Sequence, residues 1–342
     1  MSKHKIKSKI SNINNPAQPG HQFSVISYFC GCGGLDLGIL GGFNYKGKQY
    51  GRLPFRILAA YDNDEKCIET YHDNIGNHAH LSDLSEANLA EMPAADILIG
   101  GFPCQDFSSC GPQGGLETER GQMYQAMIRY MNHRRPMIVI GENVPNLAKM
   151  NGGSVLDTIL TDFQNAGYRF EVWTMHAKDY GVPQGRVRLI FMGVRDDLVG
   201  FPLQPNPTNE VHSIEWAIGD LINISDESVP NQSEYFKANK AKKGNGQGDE
   251  ANRANEPAYT IRANAKSRVH FHYQLDRRLT VRECARIQTF PDDFIFRHSK
   301  TTNIMQIGNA VPPILAHFVG ESVAKYLLNI VDEEEQNARQ FC

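Results

Sequence analysis

FSVISYFCGCGGLDLG, residues 23–38, is the stretch on which the fold turns. Its first seven residues form a short apolar run rich in β-branched and aromatic side chains, which reads as a strand. The strand ends in CGCGG and a helical pattern begins at GLDLG. Glycines at a strand-to-helix turn let a ligand approach the backbone at a helix N-terminus. Gly31 and Gly33 stand where a dinucleotide fingerprint has its first two glycines, but its third position is Asp36. The fingerprint is therefore broken, a departure that a nucleoside cofactor without a pyrophosphate tolerates. A tight turn with a helix cap is the plainer reading. Cys30 and Cys32 lack a second Cys or His pair at suitable spacing, so no metal site is predicted.

The same alternation continues outward. FRILAAY (55–61), ADILIGG (95–101), MIVIGE (137–142) and VRLIFMGV (187–194) read as further strands, with helices near 35–40, 64–71, 121–133 and 154–166. Strands bounded by helices predict an α/β fold, a doubly wound parallel sheet with right-handed crossovers. After Val194 the pattern changes: FPLQPNPTNE and AKKGNGQGDEANRANEP read as loops. Order returns with LTVRECARIQTF and with VPPILAHFVGESVAKYLL, an amphipathic helix after a Pro pair. The expected organisation is a catalytic domain of residues 20–194 plus 303–342, a smaller irregular domain at 195–302, and a basic tail at 1–19.

At 342 residues, and with ~150 residues per domain as a prior, about two domains are expected. A hydrophobic share of 41% is too high for a disordered chain, and no uninterrupted apolar run is long enough to span a bilayer. MSKHKIKSKI is not a secretory signal, and seven cysteines fit reduced cytosolic thiols better than a disulfide framework. Extracellular, membrane and fibrous classes are excluded on this reading, and the expected location is the cytoplasm. The net charge of −3 argues against a polyanionic partner, but its distribution does not. Between Arg253 and Arg278 stand six basic residues (Arg253, Arg262, Lys266, Arg268, Arg277, Arg278) against two acids, and Lys3, Lys5, Lys7 and Lys9 open the chain. A local basic segment can bind a phosphate backbone; a solvated loop surface is the alternative.

Ligands in open α/β sheets sit at the carboxyl ends of strands, and chemistry-bearing residues gather there. Asp62 ends the second strand, an acid suited to ribose hydroxyls. Cys104 follows Gly100-Gly101-Phe102-Pro103, in a rigid-loop setting that suits a thiolate nucleophile. Glu142 ends MIVIGE and needs a partner or a task. Arg186 and Arg188 open the last strand and, with period 2, share one face. Were that strand antiparallel, Cys104, Glu142, Arg186 and Arg188 would converge on one cleft.

Taken in order, FCGCGG, GGFPCQDFS, GENV, PQGRVR, RRLTVRECARIQTFPDDF and IGNAVPP resemble the motifs of the cytosine-5 DNA methyltransferases, compact bacterial restriction–modification type. The resemblance runs from Phe23 to Lys325, with the variable stretch where that family keeps its target-recognition region. It implies a Rossmann-like methyltransferase sheet and S-adenosylmethionine as methyl donor, with no metal. Cys104 would supply the thiolate, Glu142 would hold ring nitrogen 3 and the exocyclic amine, Arg188 the base oxygen, and Arg186 the loop and base. Phe29, Gly31, Gly33, Gly34, Asp62, Asn63, Asp83, Leu84, Pro103, Asn309 and Val311 would hold the cofactor. Ser108, in a glycine-containing loop (107–120) that closes over the flipped base, and Arg262, Lys266 and Arg268 would contact DNA. The chain departs from the family pattern at Asn63, where several members carry an aromatic, at Ala310, where Ser is common, and in a long stretch at 44–56.

Carbon 5 of cytosine is too weak a nucleophile to be methylated unaided, so covalent activation through carbon 6 is needed, on a base swung out of the duplex. The implied partner is double-stranded DNA in the nucleoid, with a monomeric enzyme and a functionally paired endonuclease that forms no stable complex. The rivals are a tRNA methyltransferase of the same family, a nicotinamide-dependent Rossmann oxidoreductase, and a DNA-binding protein with a dead site. The long variable segment favours DNA over tRNA, the broken fingerprint speaks against the oxidoreductase, and intact Cys104 and Glu142 speak against the third.

Overall fold

A computed structural model describes residues 21–103, 123–241 and 248–340, leaving out the side chains of 334, 335 and 337–340. β1 (Phe23–Tyr28) leads into α1 (Gly34–Leu40), and a hairpin of β2 (Phe43–Tyr45) and β3 (Lys48–Tyr50) follows. Next come β4 (Phe55–Asp62), α2 (Glu65–Asn74), β5 (Ala79–Leu81) and β6 (Ile97–Gly100). α3 (Tyr124–Arg134), β7 (Ile138–Asn143), α4 (Ser154–Asn165), β8 (Tyr168–His176) and β9 (Val187–Arg195) complete the sheet region. α5 (Ile214–Ile218) and α6 (Val281–Ile287) lie in the irregular stretch, and α7 (Lys300–Asn309) and α8 (Pro313–Gln340) end the chain.

The main sheet has the order β5-β4-β1-β6-β7-β9-β8. β5, β4, β1, β6 and β7 pair in parallel, while β9 runs antiparallel to both neighbours. The chain leaves β1 toward β4 on one side and returns to β6 on the other, which opens a crevice at the carboxyl end of β1. Reversal of β9 brings its start to that same end, with Asn143 opposite Leu189 and Glu142 opposite Ile190.

Parallel strands covered on both faces read as near-continuous apolar runs. Ile97, Ile99, Ile138 and Ile140 enter one core, and Leu98 and Val139 the opposite one. Each such side chain contributes roughly 1.5–3 kcal/mol on full burial. The first core continues through Ala258, Ile261, Leu279, Ile287 and Phe290, so the irregular stretch and the sheet share apolar packing. Local signals set the ends: Asp64 caps α2 by accepting the amides of Lys66 and Cys67, and Thr280 and Glu283 form a reciprocal capping box at α6.

Lys300–Glu333 contains an 18-residue window that by length and composition is apolar enough to cross a bilayer, although polar residues such as His317, Glu321 and Lys325 interrupt the stretch. Over half of that window is buried inside the protein. The cause is packing: a methyl on Gly38 of α1 would come within 2.4 Å of the Ala316 side chain of α8, so the two helices touch closely.

Candidate active site

The turn after β1 carries a run of left-handed residues, with φ of +53° at Phe29, +54° at Gly31 and +90° at Gly33. It turns the Gly31 amide toward Asp62, whose other oxygen is held by an amide of its own loop. The amide of Gly31 donates to Oδ2 of Asp62 at 2.8 Å, and that of Asp64 to Oδ1 at 3.0 Å. Burial pushes the Asp62 carboxyl up despite these bonds. Beneath the turn, Asp36 is fully buried and accepts from the hydroxyls of Ser27 (3.1 Å) and Tyr71 (2.9 Å). Burial raises its pKa to about 6. The residue that breaks the dinucleotide fingerprint thus supports the turn from below.

A cavity of about 380 Å³ opens at the carboxyl ends of β1, β4, β6 and β7. Its wall includes Phe29, Gly31, Gly34, Asp62, Asn63, Leu84, Pro103, Glu142, Arg188, Asn309 and Val311. Gly33 is not part of the wall; a methyl there would strike Ile75 and Tyr71. Asp83 is exposed and spends its carboxylate on Ser85. Several wall residues were not assigned a role from the sequence, among them Asn143, Met305 and Gln306. Asn143 could have been suspected from GENV; its Nδ2 donates to the Phe102 carbonyl at 3.1 Å, fixing the chain just before Pro103.

At one end of the cavity Nε of Arg188 lies 2.6 Å from Oε1 of Glu142, each side chain 11% exposed. A methyl on Gly101 would sit 3.1 Å from Oε2 of Glu142, so the carboxylate stands beside the segment leading to Cys104. Cys104, Ser108 and the 107–120 loop lie outside the described residues.

Arg186 departs from the expected convergence. β9 begins at Val187, so Arg186 precedes the strand and the period-2 argument does not reach it. It is 1% exposed and absent from the cavity wall. Its guanidinium donates to the carbonyls of Ile261 (3.1 Å), Gly308 (3.0 Å) and Ala310 (3.0 Å). Burial, and then Arg188, work against its charge. Gln184 belongs to the same joint, accepting the amide of Ile261 at 3.2 Å and donating to the Ile287 carbonyl at 2.9 Å. Gly308 makes the joint possible: a Cβ there would lie 2.3 Å from the Arg262 carbonyl carbon and the Ala263 nitrogen. The segment after Ala258 and the loop of Asn309 are therefore locked together.

Along that segment burial alternates. Ile261, Ala265, Ser267 and Val269 are buried, while Arg262, Asn264, Lys266 and Arg268 are exposed. Asn264, which carried no sequence signal, joins the outward row. Among the described residues no group of three or more His, Cys, Asp or Glu side chains is placed to hold a metal ion.

Residues 23–325 match the family profile described as C-5 cytosine-specific DNA methylase. Type II methyltransferase M.NgoFVII of Neisseria gonorrhoeae is 33% identical over 90% of this chain and 87% of its own length. Type II methyltransferase M.BspRI of Lysinibacillus sphaericus is 32% identical over 89% of this chain and 82% of its own. Among solved structures, the S. pombe Dnmt2 methyltransferase superposes with a TM-score of 0.65 at 16% identity, covering 90% of this chain and all of that one (100%).

Proposed function

The chain belongs to the C-5 cytosine-specific DNA methylase family, and from that premise we propose how its residues divide the work of a DNA cytosine-5 methyltransferase. The role suggested by its Type II relatives is modification: methylating a short duplex sequence so that a paired endonuclease spares it. The enzyme would act on double-stranded DNA in the cytoplasm, as a monomer and without a stable complex with that endonuclease.

S-adenosylmethionine is the family's methyl donor, and when bound it supplies an electrophilic methyl group. The residues present fit it. The cavity lies at the switch point of the sheet, the position of a Gly31 Cβ is open space, and Asp62 stands beside that turn to receive ribose hydroxyls. Asn63, Leu84, Pro103, Asn309 and Val311 would enclose the rest, with no metal required. Gly33 and Asp83 would act at most through the turn and the loop they shape.

Cys104 would add as thiolate to carbon 6 of the flipped cytosine, making carbon 5 nucleophilic. Glu142 would accept from the exocyclic amine and pass a proton to ring nitrogen 3, neutralising the charge that builds there as the thiolate adds. Arg188 stands against the Glu142 carboxylate as its ion-pair partner and would reach the base oxygen. After methylation, loss of the carbon-5 proton and of the Cys104 sulfur restores the aromatic ring. Arg186 positions rather than touches: it holds the DNA-reading segment against the loop of Asn309. Arg262, Lys266 and Arg268, with Asn264, would read bases or phosphates, and Ser108 would follow the closing loop onto DNA. Residues 195–302 would form the target-recognition part, 20–194 with 303–342 the catalytic part, and 1–19 a basic tail.

The observation that carries this reading is the close Glu142–Arg188 pair in the wall of a cofactor-sized cavity beside the chain that runs into Cys104. A duplex containing 5-fluorocytosine at the modified position cannot lose its carbon-5 substituent and should trap the enzyme covalently. Trapping that persists in C104A, or never occurs in the unchanged protein, would remove the assignment.

A further inference from the structure

We propose that His270 is a specificity-positioning residue, whose imidazole fixes the main chain of Arg262 and thereby aims the Arg262 side chain at DNA. The inference rests on the reading above that Arg262 contacts the target sequence.

His270 is 1% exposed, and the mechanism assigns it no task. Its own backbone is pinned on both sides: its N–H donates to the Ser267 carbonyl at 3.2 Å, and its carbonyl accepts from Leu279 at 2.8 Å. From that fixed base its Nε2 accepts the main-chain N–H of Arg262 at 3.1 Å. An accepting Nε2 requires the neutral ring with its proton on Nδ1, which meets no hydrogen-bond partner among the described residues. Burial, then Arg278 and Arg262, push the imidazole pKa down to about 4, which keeps the ring in the accepting form.

The neighbouring peptide is held as firmly. Gln184 accepts the Ile261 amide and Arg186 donates to the Ile261 carbonyl. Three successive main-chain groups, the N–H and C=O of Ile261 and the N–H of Arg262, thus end on buried side chains from elsewhere in the fold. The Arg262 side chain is exposed and forms no hydrogen bond or ion pair among the described residues. The backbone below it sets the point and the vector from which that side chain leaves the chain. A bidentate arginine–guanine contact tolerates little misplacement, so loosening this amide should degrade base discrimination before it degrades turnover.

The test compares H270L, which removes the acceptor, with H270Q, whose Oε1 can take the place of Nε2. The probes are a synthetic duplex carrying the site mapped by conversion sequencing of DNA from expressing cells, and duplexes with one base pair of that site changed. The readout is the ratio of kcat/KM on the mapped duplex to that on each changed duplex. H270L should lower the ratio about tenfold at the position Arg262 reads, with S-adenosylhomocysteine affinity unchanged, while H270Q stays near the parent. The double variant R262A/H270L should discriminate no worse than R262A alone. Unchanged discrimination by H270L, an equal rate loss on every duplex, or additive losses in the double variant would each overturn the proposal. If melting shows that H270L does not fold, H270N, whose amide stops one bond short, replaces it, and full discrimination by H270N overturns the proposal as well. R262A with parental discrimination defeats instead the reading on which the proposal stands, and shows this without any His270 variant.

Discussion

Nε of Arg188 stands 2.6 Å from Oε1 of Glu142, joining the start of β9 to the end of β7 across an antiparallel register. With both side chains largely shut off from solvent, this close ion pair is weakly screened. Replacing Glu142 by Gln keeps the shape but removes the charge and the transferable proton. E142Q should lower kcat for methyl transfer by about 10²–10⁴-fold, the usual range for a positioned acid–base group. S-adenosylhomocysteine affinity, measured by calorimetry, should stay within about twofold. Turnover within tenfold of the parent would show that this carboxylate does not touch the reaction.

Arg186 offers a contrasting case: it is not itself in the cavity wall, and its guanidinium serves three carbonyls, two of them on the wall residues Gly308 and Ala310. Lysine retains the charge but cannot match a planar donor fork, so R186K leaves carbonyls of Ile261, Gly308 or Ala310 unpaired. At roughly 1–3 kcal/mol for each buried group left unsatisfied, the melting temperature should fall by several degrees. Because the same cation ties Ile261 to the loop of Asn309, cofactor affinity and site selection should weaken together. A variant that loses turnover alone, with melting and both binding steps intact, would place Arg186 in the chemistry after all.

How far the sequence discloses this arrangement depends on which force sets each part. β1, β4, β6 and β7 are legible because burial on both faces turns them into apolar runs, and the carboxyl-end position of Asp62 and Glu142 follows from their place in those runs. β8 escapes notice because it is an edge strand with polar residues such as Arg169, Glu171 and Thr174 exposed, so no run marks it. The convergence of Arg186 failed by one residue: periodicity applies inside a strand, and β9 starts at Val187. The support given by Gln184 and Gly308 depends on contacts between segments tens of residues apart, and that of His270 on a contact across eight residues of irregular chain, none of which a periodic pattern encodes.

Asp36 yields a pH signature. Its folded pKa of about 6 lies above the ordinary carboxylate value of ~3.9, so the folded chain holds this proton more tightly than the unfolded chain does. The stability it contributes is therefore full below about pH 4 and is lost as pH rises through about 6, on the order of 3 kcal/mol in total. The buried neutral His270 and His272, both near 4, act with the opposite sign over the same window. The measurable quantity is accordingly a difference. D36N, which can still accept from Ser27 or Tyr71, should gain stability relative to the parent as pH is raised from 5 to 8. Parallel melting curves for the two proteins across that range would show that Asp36 does not carry the buried charge.

Lys266 and Arg268 share the outward row with Arg262, and no ion pair holds either of them among the described residues. If they meet phosphates, each releases a condensed counterion on binding and contributes to affinity without regard to sequence. K266A should then weaken binding to the mapped duplex and to unrelated duplexes by a similar factor. The slope of log affinity against log salt should fall in magnitude by about one. R262A should instead weaken binding to the mapped duplex selectively and leave the slope closer to that of the parent. Fluorescence anisotropy over a series of salt concentrations separates the two roles. A K266A variant with an unchanged slope and altered discrimination would reassign that lysine from the backbone to a base edge.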